Sequence, residues 1–501
     1  MKKSLKKLTI FIVAMSIALI AVSCGGGSKE NPDTGGGNNG QPNTPLSGAH
    51  QLTSFKLQAS GNPGIGADVV ATLAYCPYPG INLVLLTVPE SFDLTNVTPS
   101  FSVSSKAKLK VAGVEATSGT TKMNLSNTLK VEVVAENSST GTYYILARNG
   151  NAKYDNAVYK LMRVYGIPGV SIAATKNEQI VYAAGYGFAD VDNLTRVDEN
   201  TLFRLASVSK SQAALCIMKL YEQGLIEMND KVFGSEGILD EYVAPFVPGA
   251  DEVTVENLLY HNSGWNYHID DQIFSSSSSP YYGLTLNQRI DYLVHHDQLQ
   301  NAVGSTYSYL NMGFTILGKI IEKLTGMKYE EYLRSVVAEA GVTDMWIGGS
   351  TKAERRGNET VYYAQNGRTA YGNDMPNVVG ACGAIIASPS DLMKILCHED
   401  YGTVLPDILQ EETLDLLYTP SSNYDRIAHG WRVNNAHWNK WASYHGGNLN
   451  GTANLWVRGK QGCNAVILTN SRSYGIEDEN GNDNDDQLYV ILGTILGDLG
   501  N

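Results

Sequence analysis

The stretch FRLASVSKSQAALCIM, Phe203 to Met218, places Ser207 and Lys210 three residues apart where an apolar run begins. Two readings compete. As a helix cap, Ser207 calls for Glu or Gln three residues on, because a carboxylate or amide there reaches back to the free amides of the first turn. Lys210 stands there instead, and a cation in the first turn opposes the positive end of the helix dipole. Local rules of this kind tend to be broken at functional sites. As nucleophile and base the pair is chemically sensible: residues three apart share a helix face, and a positive dipole end favours the neutral amine that can accept a proton. The spacing alone does not decide, since Ser4 with Lys7 and Ser105 with Lys108 repeat it. Ala213 to Met218 is apolar on every side, which predicts a buried helix with Ser207 at its start, on the edge of a cleft.

Two later pieces bear on the choice. In STYSYLNMGFTILGKIIEKLTG, Tyr309 and Asn311 stand two apart just before a predicted helix, Gly313 to Leu324. In YHGGNLNGTANLWV, His445, Gly446 and Gly447 run into a predicted strand. Each is common alone; Tyr154/Asn156, Tyr260/Asn262 and Tyr371/Asn373 share the first spacing. The order S-x-x-K, then Y-x-N about a hundred residues on, then H-x-G, is far rarer than any one of them.

On these residues the region from Asp155 to Leu499 resembles the serine hydrolases of the class C β-lactamase, D,D-peptidase and esterase family, relatives of the penicillin-binding enzymes. TLFRLASVSKSQAALCIMKLYEQGLIEMNDKV, VTVENLLYHNSGW and GACGAIIASPSDLMKIL are of the family type. The resemblance implies an α/β (α+β) β-lactamase/transpeptidase-like fold, an antiparallel sheet flanked by helices with a helical subdomain. It also implies catalysis through a covalent acyl-enzyme, with no metal and no cofactor. Ser207 is then the nucleophile, activated by Lys210, with Tyr309 sharing the proton transfer; which of the two is the base stays open. The amides of Ser207 and Asn448 would form the oxyanion hole, Asn311 would hold a substrate amide, and Gly446 and Gly447 would let substrate lie along the strand.

His445 stands where β-lactamases of this group usually have lysine, and with a reference pKa near 6.5 it is mostly neutral at pH 7. Gly446 lacks the hydroxyl of the family's common threonine. Both departures favour D-amino-acid peptides, peptidoglycan fragments or small esters and amides over β-lactams. The alternatives are a β-lactamase, or a surface binding lipoprotein with an inactive hydrolase domain.

The remainder sets the context. The start, MKKSLKKLTIFIVAMSIALIAVSC, has four lysines, an apolar run and small residues before Cys24, the layout of a signal peptide over residues 1–23. It resembles a bacterial lipoprotein signal, so lipidation of Cys24 and a cell-envelope location, membrane-anchored at the outer membrane on its periplasmic or surface face, are expected. Residues 24–49 are rich in Gly, Asn and Pro and read as a flexible linker. Residues 50–148 carry short β-rich runs such as INLVLLTV and TYYILAR; they read as an all-β sandwich resembling the immunoglobulin-like leading domains of bacterial surface lipoproteins. That region is expected to be a spacer or binder without part in catalysis, ahead of the hydrolase domain at 149–501.

The formal charge is −13, and four units more negative once the lysines of 1–23 are set aside, which excludes nucleic acid as a partner. The oligomeric state is not set by the sequence. Cys76, Cys216, Cys382, Cys397 and Cys463 lack disulfide or zinc spacing and are expected to be buried thiols. His261 is expected to be structural. His295 and His296, beside Asp297, face apart on a helix and make no metal site. DENGNDNDD, from Asp478, lacks the glycine of an EF-hand loop and is expected to be solvated.

Overall fold

The computed structural model describes residues 46–267, 280–433 and 441–500. The signal peptide, Cys24 and most of the linker lie outside the described residues. No described helix is long and apolar enough to cross a membrane.

The leading region contributes β1 (Leu52–Leu57), β2 (Val69–Val70), β3 (Thr72–Cys76), β4 (Ile81–Val88), β5 (Pro99–Val103), β6 (Lys108–Val111), β7 (Val114–Glu115), β8 (Leu129–Val134) and β9 (Thr140–Asn149). They form a three-stranded sheet, β2-β1-β5, and a six-stranded sheet, β3-β4-β9-β8-β6-β7, in which β4 and β9 are parallel. Phe55 and Leu57 of one sheet meet Val84, Leu86, Val131 and Ile145 of the other in a shared core.

INLVLLTV is apolar nearly throughout because both its faces are covered. Val84, Leu86 and Val88 point into that core, while Ile81, Leu83 and Leu85 point into a second one, shared with the helix Ala152–Tyr165. The period of two along a strand makes the division. Residues from Ser47 onward accordingly form one compact unit. Its parts are also pinned by Asp155, fully buried on that helix: it takes hydrogen bonds from Thr87 (2.7 Å) and Tyr186 (2.6 Å) and pairs with Arg148 (2.5 Å). The leading sheets thus share a core with the helix that follows them.

Next come β10 (Gly169–Lys176), β11 (Gln179–Asp190) and β12 (Thr195–Arg196), then four short strands, β13 (Phe203–Arg204), β14 (Trp346–Ile347), β15 (Tyr363–Ala364) and β16 (Ile385–Ala387). They are followed by β17 (Ile427–Ala428), β18 (Trp431–Val433), β19 (Trp441–Leu449), β20 (Thr452–Gly459), β21 (Cys463–Thr469) and β22 (Ser471–Arg472). The main sheet is antiparallel with order β12-β11-β10-β21-β20-β19-β18-β17.

The centre of this sheet is buried on both faces. Ala173, Trp456, Val466 and Leu468 pack against the helix Ser209–Glu222 and the helical part of the molecule. Their neighbours Ile172, Ala174, Leu455 and Ile467 pack against Ala152–Tyr165 and the C-terminal helix Asn484–Leu499. The hairpins expected near Asn177 and Lys460 are present. The expected mixed architecture, an antiparallel sheet between helices, is what the chain forms.

Candidate active site

Ser207 does not cap the helix. It sits in a tight turn, Ala206–Val208, that runs into the helix Ser209–Glu222, and neither element has a side-chain cap. The turn is fixed from two sides. Phe203 and Arg204 pair with Ala387 and Ile386 of β16, the Leu205 amide donates to the Ile385 carbonyl (2.8 Å), and the Ile385 amide donates to Ser209 Oγ (3.2 Å). From β20, Asn454 Nδ2 (2.8 Å) and Thr452 Oγ1 (3.3 Å) donate to the Arg204 carbonyl. Ala206, just before the serine, has φ +51°. A left-handed non-glycine residue persists only where its surroundings over-determine it. Ser207 is half-buried, while Ser209 and Lys210 are fully buried.

The free hydroxyl of Ser207 faces Lys210. Nζ lies 3.2 Å from Ser207 Oγ, 2.6 Å from Asn311 Oδ1 and 2.7 Å from the Cys382 carbonyl oxygen. Two of these partners only accept, so each takes an N–H; the hydroxyl can accept or donate. The same geometry therefore serves an ammonium that donates to Oγ and an amine that accepts the Oγ proton. Nζ also lies 4.9 Å from the centre of the Tyr309 ring and 5.8 Å from that of Phe314. Asn311 opens the helix Asn311–Thr325, a little earlier than the sequence predicts, and its carbonyl oxygen is committed to the lysine.

β19 closes the other side. Gly447 passes the turn so closely that a Cβ there would overlap the Leu205 carbonyl oxygen and crowd Val208. The Asn448 side chain turns away, donating to Asp485 (2.9 Å). β18 pairs with β19 only at Tyr444 and Ser443, so among the described residues the outer edge of His445 to Asn448 has no strand partner. An unpaired edge beside a nucleophile is where an extended substrate can add its own backbone.

His445 is buried, and its Nδ1 donates to the Gly446 carbonyl (2.7 Å). Burial, with the charges of Arg432 and Lys210, pushes its pKa down to about 3. It is neutral at any ordinary pH, as the sequence suggests. A permanent cation is nevertheless present. Arg432, paired in register with Tyr444 on the next strand, neighbours Tyr307 and Tyr309, and its charge is felt by His261 and His445. Among the described residues it forms no ion pair with a carboxylate. The sequence reading missed Arg432, since nothing around WRV marks it; only the tertiary structure sets it beside Tyr307 and Tyr309. The Cys382 carbonyl was missed for the same reason, a backbone atom having no signature.

The other candidates stay outside the site. Among the described residues no cluster could hold a metal ion, and His295 spends its two nitrogens on the Asp291 and Val243 carbonyls. The five described cysteines are buried and form no disulfide among the described residues. In the Asp478 loop Glu479, Asn480, Gly481 and Asp483 are exposed, as expected, while Asp478 itself is buried against Lys160 (2.7 Å).

The family model described as Beta-lactamase matches residues 154–489. Protein flp of Staphylococcus aureus (strain NCTC 8325 / PS 47) is 25% identical over 345 residues, 66% of this chain and 64% of that protein, so the chain spans less than two thirds of that relative. A class C beta-lactamase structure superposes with a TM-score of 0.56 at 20% identity, over 69% of this chain and 94% of the other. The D-amino acid amidase from Ochrobactrum anthropi SV3 complexed with L-phenylalanine amide superposes with 0.51 at 22% identity, over 68% and 99%. Taken with the fold and the Ser207–Lys210 arrangement, the match places this chain in the beta-lactamase family.

Proposed function

We propose that the protein is a serine hydrolase that acylates Ser207 and acts on D-amino-acid peptides, peptidoglycan fragments or related small amides and esters. The observation that carries this is the Lys210 Nζ to Ser207 Oγ contact of 3.2 Å, held by two carbonyl acceptors beside an open strand edge. Ser207 Oγ attacks the substrate carbonyl carbon while its proton passes to the Lys210–Tyr309 pair. The negative charge on the carbonyl oxygen is received by the amides of Ser207 and Asn448. The C–N or C–O bond then breaks and the pair returns the proton to the leaving group. Water repeats the sequence on the acyl-enzyme, freeing the acid and restoring Ser207.

Arg432 refines the substrate class. With His445 neutral, the guanidinium is the fixed charge available for a substrate carboxylate, so peptides ending in a free carboxylate are favoured over their amides. The same charge would hold a β-lactam carboxylate, which keeps β-lactam acylation as the second reading. The name of the D-amino acid amidase is in keeping with the D-configured class. Upstream, we propose that Cys24 is lipidated and anchors the chain at the cell envelope.

A fluorophosphonate probe should add a single phosphonyl group to Ser207 and none to Ser207→Ala, read by mass spectrometry. Absence of labelling, together with no turnover of D-amino-acid peptides or esters, would return the hydrolase domain to a binding role.

A further inference from the structure

We propose that His261 is the positioning residue of Tyr309, gripping the chain on both sides of the tyrosine and covering its ring so that the phenol is held where the Ser207 proton passes. The inference rests on the reading of Ser207 as nucleophile given above.

His261 lies in a loop far from Tyr309 in sequence, yet it bonds both residues that flank it. The Ser308 amide donates to the His261 carbonyl (2.7 Å) and the Leu310 amide donates to His261 Nδ1 (3.0 Å). Between these bonds, the Tyr309 ring lies 4.4 Å from the imidazole at an interplanar angle of 33°, while Phe314 (5.0 Å) and the edge of Tyr307 (6.0 Å) complete its surroundings. His261 has φ +56°. In that left-handed conformation its carbonyl and its ring meet the same three residues, Ser308 to Leu310. Non-glycine residues visit this region rarely, and such strain gathers at functional sites.

The residue type fits the task narrowly. Leu310 is 1% exposed, so its amide needs a protein acceptor. Because Nδ1 accepts, the imidazole is neutral with its proton on Nε2, and a protonated ring would lose the bond. Burial, then Lys210, His445 and Arg432, hold His261 well below its ordinary pKa, so the acceptor persists. Phenylalanine would keep the ring and lose the acceptor. Asparagine would keep a neutral acceptor and tolerates the left-handed backbone.

The test uses the full chain and a small ester, p-nitrophenyl acetate. Wild-type labelling at Ser207 by a fluorophosphonate first establishes the nucleophile; its failure would sink that reading, not this one. His261→Phe should lower kcat by about 10- to 100-fold, part of the range for general acid–base help, with KM within about threefold. His261→Asn should recover most of the loss. In a Tyr309→Phe background, His261→Phe should add little, because both changes act on one phenol. If His261→Phe does not fold, His261→Gly takes its place, since it accepts the backbone but brings neither ring nor acceptor. A folded variant within about twofold of wild-type kcat would overturn the proposal. So would a loss of the same size with Tyr309 already replaced.

Discussion

Gly447 and Leu205 touch backbone to backbone: no side chain fits between the strand β19 and the residue two before Ser207. This contact sets the distance between the Ser207 turn and the strand along which substrate would lie in the proposed reaction. Gly447→Ala must push one of them aside. Overpacking of this kind costs about 1–3 kcal/mol, and a displacement of about 1 Å at reacting atoms can cost about 10²-fold in rate. The expected outcome is a folded protein, by thermal melting, whose kcat falls by about two orders of magnitude. Unchanged kcat would show that the strand edge takes no part.

Lys210 holds Ser207 Oγ and is itself held by Asn311 Oδ1 and the Cys382 carbonyl. Lys210→Ala should slow fluorophosphonate labelling by about a hundredfold or more, the lower end of general-base help. Asn311→Ala should slow it less, since the second carbonyl still holds Nζ. If Asn311→Ala were the more damaging change, its main role would be on the substrate.

Arg432 should discriminate by charge. Arg432→Gln is expected to raise KM for a D-amino-acid dipeptide with a free carboxylate by at least about tenfold, as for loss of a charge-assisted hydrogen bond. KM for the corresponding amide should stay nearly unchanged. Equal losses on both substrates would place the carboxylate elsewhere.

Glu399 makes stability depend on pH, away from the site. It is 1% exposed, its Oε1 has no hydrogen-bond partner among the described residues, and burial pushes its pKa up to about 8. The folded state thus holds a proton that the unfolded chain releases near pH 4.5. Stability from this group is complete below that value and is lost progressively as pH rises towards 8. Glu399→Gln should therefore melt higher than wild type at pH 8 and close to it at pH 5, a difference on the order of a few kcal/mol. A constant offset across the range would assign the charge elsewhere.

Asp155 ties the leading sheet to the beta-lactamase-family region through Thr87 and Arg148. Asp155→Ala leaves the buried end of Arg148 without its carboxylate and should lower stability by about 3–5 kcal/mol in chemical denaturation. A chain begun at Asn149 would also expose the apolar face that Leu83 and Leu85 cover. It should aggregate or melt well below the full chain. Independent folding with full stability would show that the leading sheets add nothing to the rest of the fold.

The order S-x-x-K, Y-x-N and H-x-G was legible in the sequence because each piece is a local spacing on one helix start or strand, and the neutral character of His445 was legible from its side chain alone. The hairpins at Asn177 and Lys460 were legible because alternation and turn residues act over a few positions. What only the tertiary structure decided is what depends on contacts between distant segments. Arg432 comes beside Tyr307 and Tyr309 from a distant strand, the Cys382 carbonyl reaches Lys210 through the pairing of β13 with β16, and His261 reaches the amides beside Tyr309 across a loop. The same holds for INLVLLTV: its composition announced a strand, but that one face meets the other sheet and the second the helix carrying Asp155 follows from packing alone. A local pattern records which faces avoid water, not what covers them.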